Sequence, residues 1–182
     1  MEELIKDEIE PIKEKVGVIS AYWDYFHKGH EFFIEECFKI VNKLIVLLIE
    51  DLTEFEKKIK PSYIYMQKLN ERDLSAKEFY EKIGKTKNVE TIIVKDIKEV
   101  MNWAIENSDK YDYYILSEKD VNDGYINAFK AKATTKAKRE DKYRGEVKIT
   151  KQLLKEDGKP YGSEELRQQI AEKIKIELEK DN

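Results

Sequence analysis

The sequence predicts an α/β fold: a parallel sheet covered by helices, with a further helix at the C-terminus. Strand-length apolar runs alternate with segments of helical period, and that alternation is the signature of strand-helix-strand units. One run, LIVLLIED at 44–51, is apolar on both faces, as a central strand buried between two helical layers must be. At 182 residues, 41% hydrophobic and 40% charged, the chain can build one sizeable core, and two would be cramped.

Residues 1–15 read as an N-terminal appendage, a short helix stopped by Pro11, and the domain proper as 16–182. VGVISAY at 16–22 is a first strand, rich in β-branched residues. After the turn-like DYFHKG comes HEFFIEECFKIV, in which Phe33, Ile34, Cys37, Phe38 and Val41 recur at helical spacing. LIVLLIED follows as a second strand, then a charged loop ending at Lys60-Pro61 and a helix over 62–83 that Gly84 closes. ETIIVKD at 90–96 is a third strand, KEVMNWAIEN a third helix, and YDYYILSE at 111–118 a fourth strand. NAFKAKATTKAKREDKYRG is basic and poor in apolar residues, a solvated surface or a flap; a turn and a charged C-terminal helix end the chain. Right-handed crossovers between parallel strands make this a Rossmann-like sheet, whose ligands bind beyond the carboxyl ends of the strands. A site is therefore expected just after Tyr22, Asp51, Asp96 and Glu118.

Composition restricts the functions available. Lys plus Arg number 34 against 38 Asp plus Glu, for a formal charge of −4, so nothing draws the whole chain to nucleic acid. Cys37 is the single cysteine, which excludes an intramolecular disulfide and an all-cysteine metal cluster. The longest apolar run, LIVLLI, is too short to span a bilayer, and the acidic start of the chain lacks the apolar stretch of a signal peptide. A cytoplasmic protein without membrane partners is the expectation; oligomeric state is open.

Both histidines fall in DYFHKGH at 24–30, at the exit of the first strand and the entry of a helix. Helix N-termini hold anions through unpaired amides and a partial positive charge. Gly29 lets the backbone approach a ligand closely, and two imidazoles can donate to phosphate oxygens and offset charge that develops during transfer. A pair spaced HxxH can also place two metal ligands, with Asp24 or Glu31 to complete a zinc site. Arginine is scarce, at positions 72, 139, 144 and 167. Ser163 before two glutamates reads as a helix N-cap, and Trp23 and Trp103 as packing residues.

GVISAYWDYFHKGH resembles the first motif, near GTFDxxHxGH, of the nucleotidyltransferases that share an HxGH signature. KPSYIYMQKLNERDLSAKEFY and LSEKDVNDGYINAF are similar to two further segments of the archaeal and eukaryotic-type phosphopantetheine adenylyltransferases, and YGSEELR lies at the spacing of the ISSTxIR motif. The four segments keep the family's order over residues 16–167. The departures are Ala21-Tyr22 for the family's Gly-Thr, and Gly162 and Glu164 for Ser and Thr in the last motif.

The resemblance implies a nucleotidylyl transferase type of Rossmann-like sheet and transfer of AMP from ATP, with Mg2+, to the phosphate of 4'-phosphopantetheine, giving dephospho-coenzyme A and pyrophosphate. It makes His30 the phosphate-stabilising group, His27 its partner and Lys60 the bridge between the acceptor phosphate and the α-phosphate, with Lys57 and Lys58 as alternatives. Arg72 would hold the acceptor. Tyr22, Asp24, Gly29, Ser117, Glu118, Ser163 and Arg167 would form the nucleotide site. The alternatives are a cytidylyltransferase or FAD-forming adenylyltransferase acting on another phosphorylated acceptor, and a nucleotide-binding homologue of reduced activity.

Overall fold

The structure, a computed structural model, describes residues 13–59, 61–118 and 146–180. Five parallel strands form one sheet in the order β3-β2-β1-β4-β5: β1 Val16–Ala21, β2 Lys43–Ile49, β3 Val89–Val94, β4 Tyr113–Ser117 and β5 Glu146–Thr150. The helices are α1 Lys28–Ile40, α2 Glu54–Ile59, α3 Leu69–Lys82, α4 Ile97–Glu106 and α5 Glu164–Lys180, with a 3-10 turn over Pro61–Tyr65. The expected α/β Rossmann-like sheet with a C-terminal helix is present.

Alternation along the strands feeds two cores. Val18, Ile45, Leu47, Ile49, Val94, Tyr114 and Leu116 pack with Val100, Ala104 and Ile105 of α4. Ile19, Leu44, Val46, Leu48 and Ile115 face the other way, onto Ile34 and Cys37 of α1 and Ala76, Phe79 and Tyr80 of α3. Successive strand residues point to opposite faces, so a strand covered on both sides must be apolar throughout, and this is why β2 reads as an unbroken hydrophobic run. Burial in the second core pushes the Cys37 thiol far above its ordinary pKa.

Three expectations need correction. The segment read as a charged loop before Lys60 contains α2. The helix expected over 62–83 is a 3-10 turn and a shorter helix, α3, which Gly84 follows at φ +67. It breaks because the Gln67 amide donates to Asp24 Oδ1 at 2.9 Å instead of to the preceding turn, while its side chain accepts from Tyr25 N at 2.7 Å. Tertiary bonds override helical propensity there. The third correction is β5, an edge strand absent from the sequence reading, whose burial is limited to Thr150 at its end. Lys60 and the whole basic stretch after Glu118 lie outside the described residues, as do residues 1–12. No helix among the described residues is long and apolar enough to cross a membrane.

One detail of the sheet positions the site. β1 pairs with β2 along its whole length, to Ala21↔Leu48, whereas its pairing with β4 is confined to Gly17↔Tyr113 and Val18↔Tyr114. The strand order reverses its winding at this pair, β1 to β3 running to one side and β4 and β5 to the other, and it is here that open α/β sheets leave a crevice at their carboxyl ends. Tyr114 Oη bridges the two strands by donating to Ser20 Oγ at 2.9 Å.

Candidate functional site

The loop leaving β1 is held in a conformation that its residues do not favour. Trp23 and Tyr25 have φ of 50° and 44°, the left-handed region that costs an L-residue about 1–2 kcal/mol. Packing over-determines both. The Trp23 indole is buried, edge-on to Phe26 at 5.6 Å and to His30 at 5.0 Å, so its reading as a packing residue holds. Tyr25 Oη donates to Tyr65 O at 2.8 Å. Burial, with the Asp24 carboxylate beside it, raises the Tyr25 pKa.

Between the two strained residues Asp24 turns inward and is 3% exposed. Oδ1 accepts from Gln67 N, Oδ2 takes the Arg167 guanidinium, and its carbonyl accepts from Ser163 Oγ. One residue thus ties the β1 loop to the start of α3 and to the start of α5.

His27 is the N-cap of α1. Its Nδ1 accepts from Gly29 N at 3.1 Å, so the neutral ring carries its proton on Nε2. His30 stacks on it with centroids 3.8 Å apart and planes 17° apart. The spacing is that of one helical turn, which superposes the cap residue and the third residue of the helix. Both imidazoles therefore stand at the positive end of a 13-residue helix. Gly29 is needed for a steric reason: a Cβ there would lie 2.7 Å from Tyr161 Cβ and 3.0 Å from the His27 ring. Tyr161, on the segment entering α5, covers the pair with its ring 6.1 Å from that of His27.

Arg167 is 3% exposed, pairs with Asp24, has Glu164 Oε2 at 3.7 Å from Nη2, and lies over the Tyr63 ring at 3.8 Å. Ser163, read as a simple N-cap, also donates its hydroxyl to the Asp24 carbonyl.

Arg72, expected to contact an acceptor, is engaged inside the fold. It is 1% exposed, and four donations go to backbone carbonyls: Nε to Gln67 O at 3.0 Å, Nη1 to Tyr22 O at 2.8 Å and Ile49 O at 2.7 Å, and Nη2 to Glu50 O at 2.7 Å. Parallel strands that end side by side present carbonyls with no strand partner, and a buried guanidinium satisfies several at once. Burial also draws its pKa down.

Tyr22 Oη donates to Glu56 Oε1 at 3.0 Å, and Glu56 Oε2 accepts from Thr53 N at 2.8 Å, so Tyr22 joins β1 to α2. Ser117 ends β4 and is registered with Thr150, and exposed Glu118 accepts from Gln152 N at 3.1 Å. The structure therefore gathers Asp24, His27, Gly29, His30, Ser163 and Arg167 into one contact network and places Ser117 and Glu118 on the neighbouring strand. Sequence reasoning missed Tyr63, Gln67 and Tyr161 in this network. All three lie inside segments quoted for the family resemblance, Tyr63 and Gln67 in KPSYIYMQKLNERDLSAKEFY and Tyr161 in YGSEELR, without being singled out there. No group of three His, Cys, Asp or Glu residues able to hold a metal ion occurs among the described residues.

No protein-family model matches the chain, and no curated protein matches it. Among solved structures it is similar to a lipopolysaccharide core biosynthesis protein from Thermoplasma volcanium, at 19% identity and a TM-score of 0.47 over 75% of this chain and 97% of that one. A hypothetical protein is similar at 17% identity and a TM-score of 0.42, over 78% of this chain and 99% of that one.

Proposed function

We propose that the chain is a nucleotidyltransferase that moves AMP from ATP to the phosphate of 4'-phosphopantetheine. The observation that carries this reading is the stacked His27–His30 pair at the N-terminus of α1, beside the gap where β1 and β4 part. An oxygen of the acceptor phosphate attacks the α-phosphorus, the bond from that phosphorus to its bridging oxygen breaks, and pyrophosphate leaves. Such transfers need positioned positive charge more than covalent help. His30 and the Nε2 proton of His27 supply donors to the phosphates, and the dipole of α1 adds to them. Lys60 is proposed as the bridging lysine. Mg2+ is proposed to arrive on the triphosphate, since the described residues offer no ligand cluster of their own. The acceptor contact passes from Arg72, whose donors are engaged, to other groups of the crevice.

Purified protein incubated with ATP or CTP and a panel of phosphorylated acceptors should release pyrophosphate with ATP and 4'-phosphopantetheine. Release with CTP alone would sink the adenylyl assignment and favour a cytidylyltransferase. His30→Ala should lower turnover by about 10²–10³, the range for one lost transition-state donor, with unfolding little changed. A second reading, a nucleotide-binding protein of reduced turnover, is favoured by the burial of Arg72 and Arg167 in internal contacts. Calorimetric binding of nucleotide without pyrophosphate from any acceptor would establish it.

A further inference from the structure

We propose that Asp24 acts as an internal stand-in for phosphate: it holds Arg167 folded against Tyr63, and a polyphosphate arriving at the α1 N-terminus displaces it. The first turn of α5 is then a latch that nucleotide opens. This inference rests on the nucleotide reading of the histidine pair.

A guanidinium fits a carboxylate and a phosphate through the same two-pronged geometry, so the two anions compete for one site on Arg167. Asp24 and Arg167 are both nearly fully buried, 3% and 4% exposed by side chain. Removing two charges from water roughly cancels their attraction, so a buried pair is close to neutral in net stability and is exchangeable when a better anion is offered. A triphosphate is the better anion, because it carries several charges against one.

The closed arrangement also leaves the guanidinium incompletely satisfied. Arg167 Nε is buried with no hydrogen-bond partner among the described residues, and the 3.7 Å separation of Nη2 from Glu164 is too long for a hydrogen bond. A buried donor without a partner weighs against the closed state. Besides packing on the 61–65 turn through Tyr63, the remaining polar ties of the α5 start are few: Ser163 Oγ to the Asp24 carbonyl, and two solvent-exposed contacts, Ser62 to Glu164 at 3.2 Å and Lys155 to Glu165 at 2.5 Å. Exposed pairs of that kind hold weakly.

The latch is mechanically joined to the histidines. Asp24 is three residues before His27, and Tyr161, two residues before Ser163, lies against Gly29 and His27. Release of the α5 start therefore frees the Tyr161 segment from the face of the pair where phosphate is to bind.

The test is calorimetry of ATP and of inorganic pyrophosphate with Asp24→Asn, Arg167→Ala and the double variant. Asparagine keeps the acceptor for Gln67 N and removes the rival charge. Asp24→Asn is expected to bind roughly tenfold tighter, within the usual range of site-to-site coupling. In the Arg167→Ala background the same substitution should gain nothing. An equal gain in both backgrounds would mean mere relief of charge repulsion and would overturn the latch, as would unchanged or weaker binding by Asp24→Asn. If the wild type binds neither ligand while Asp24→Asn binds, the latch stands and the transferase reading of the native chain falls; if no variant binds, both fall. Should Asp24→Asn fail to fold, hydrogen exchange on the wild type decides. Pyrophosphate should speed exchange of the amides at 163–167, and slowed exchange there would overturn the proposal.

Discussion

Beyond the end of β1, charge is buried and held in internal contacts; beyond the ends of β2 and β3 it is open. Asp24, Arg72 and Arg167 are at most 3% exposed and are bound to atoms of four different segments. Asp51, Lys57, Lys95, Asp96 and Lys98, by contrast, line a cavity of about 280 Å³, and the 2.8 Å Asp51–Lys57 pair is roughly half exposed on both sides. A charge held in low dielectric fixes geometry, because misplacing it leaves a large desolvation penalty unopposed. A charge in water is screened and can be replaced at little cost. The β1 side of the rim is thus held in one arrangement until a competing anion replaces a partner, and the β2/β3 side is the adaptable half.

The comparison breaks first at Arg72 if it is wrong. Arg72→Ala should destabilise by about 3–5 kcal/mol in urea unfolding, since it strands buried carbonyls. Arg72→Lys should recover little, because one ammonium cannot reach the carbonyls of Tyr22, Ile49, Glu50 and Gln67 together. A loss as small as that of an exposed arginine would place it with the adaptable half.

Next comes a pair of glycines. At Gly29 a Cβ meets Tyr161 and His27, so Gly29→Ala should cost about 1–3 kcal/mol from overpacking and also weaken ATP binding by calorimetry. At Gly84, φ is +67 with nothing within 4 Å, and Gly84→Ala should cost about 1 kcal/mol of backbone strain while leaving ATP affinity unchanged. Equal effects on ATP affinity would remove Gly29 from the site.

The smallest effect belongs to Asp51. The hydrogen bond from Lys57 draws its carboxyl below the ordinary 3.8, so its contribution is present above the unfolded pKa and disappears as pH falls through the lower folded one. Asp51→Asn should be slightly less stable than wild type near pH 7, and the two urea curves should converge as pH falls below the ordinary carboxylate range. A gap that persists in acid would show that the pair acts through shape instead of charge.

What could be read from the sequence follows the same division. β1 to β4, α1 and α4 were legible to within one or two residues because their apolar runs are continuous or strongly periodic. β5 was not: EVKIT is an edge strand, largely unburied, and its alternation is too short to register. The histidine motif was legible because both histidines and a glycine crowd into four positions, His27 to His30. The internal role of Arg72 was not legible because its demand arises from carbonyls of two distant segments, Tyr22 and Ile49–Glu50, besides nearby Gln67, which no local pattern displays. Tyr161 escaped for a similar reason, as it packs on His27 and Gly29, more than 130 positions earlier in the sequence.

The Asp24–Arg167 contact joins residues 143 positions apart, and this has a consequence for how the protein is made. A ribosome delivers the β1 loop well before α5, so Asp24 waits while the intervening residues are made before it meets its counter-ion. During that interval an unpaired carboxylate has no reason to leave water, and the strained turns at Trp23 and Tyr25 have little to hold them in place. The histidine pair should therefore be completed only with the arrival of α5, although its residues are translated long before that helix.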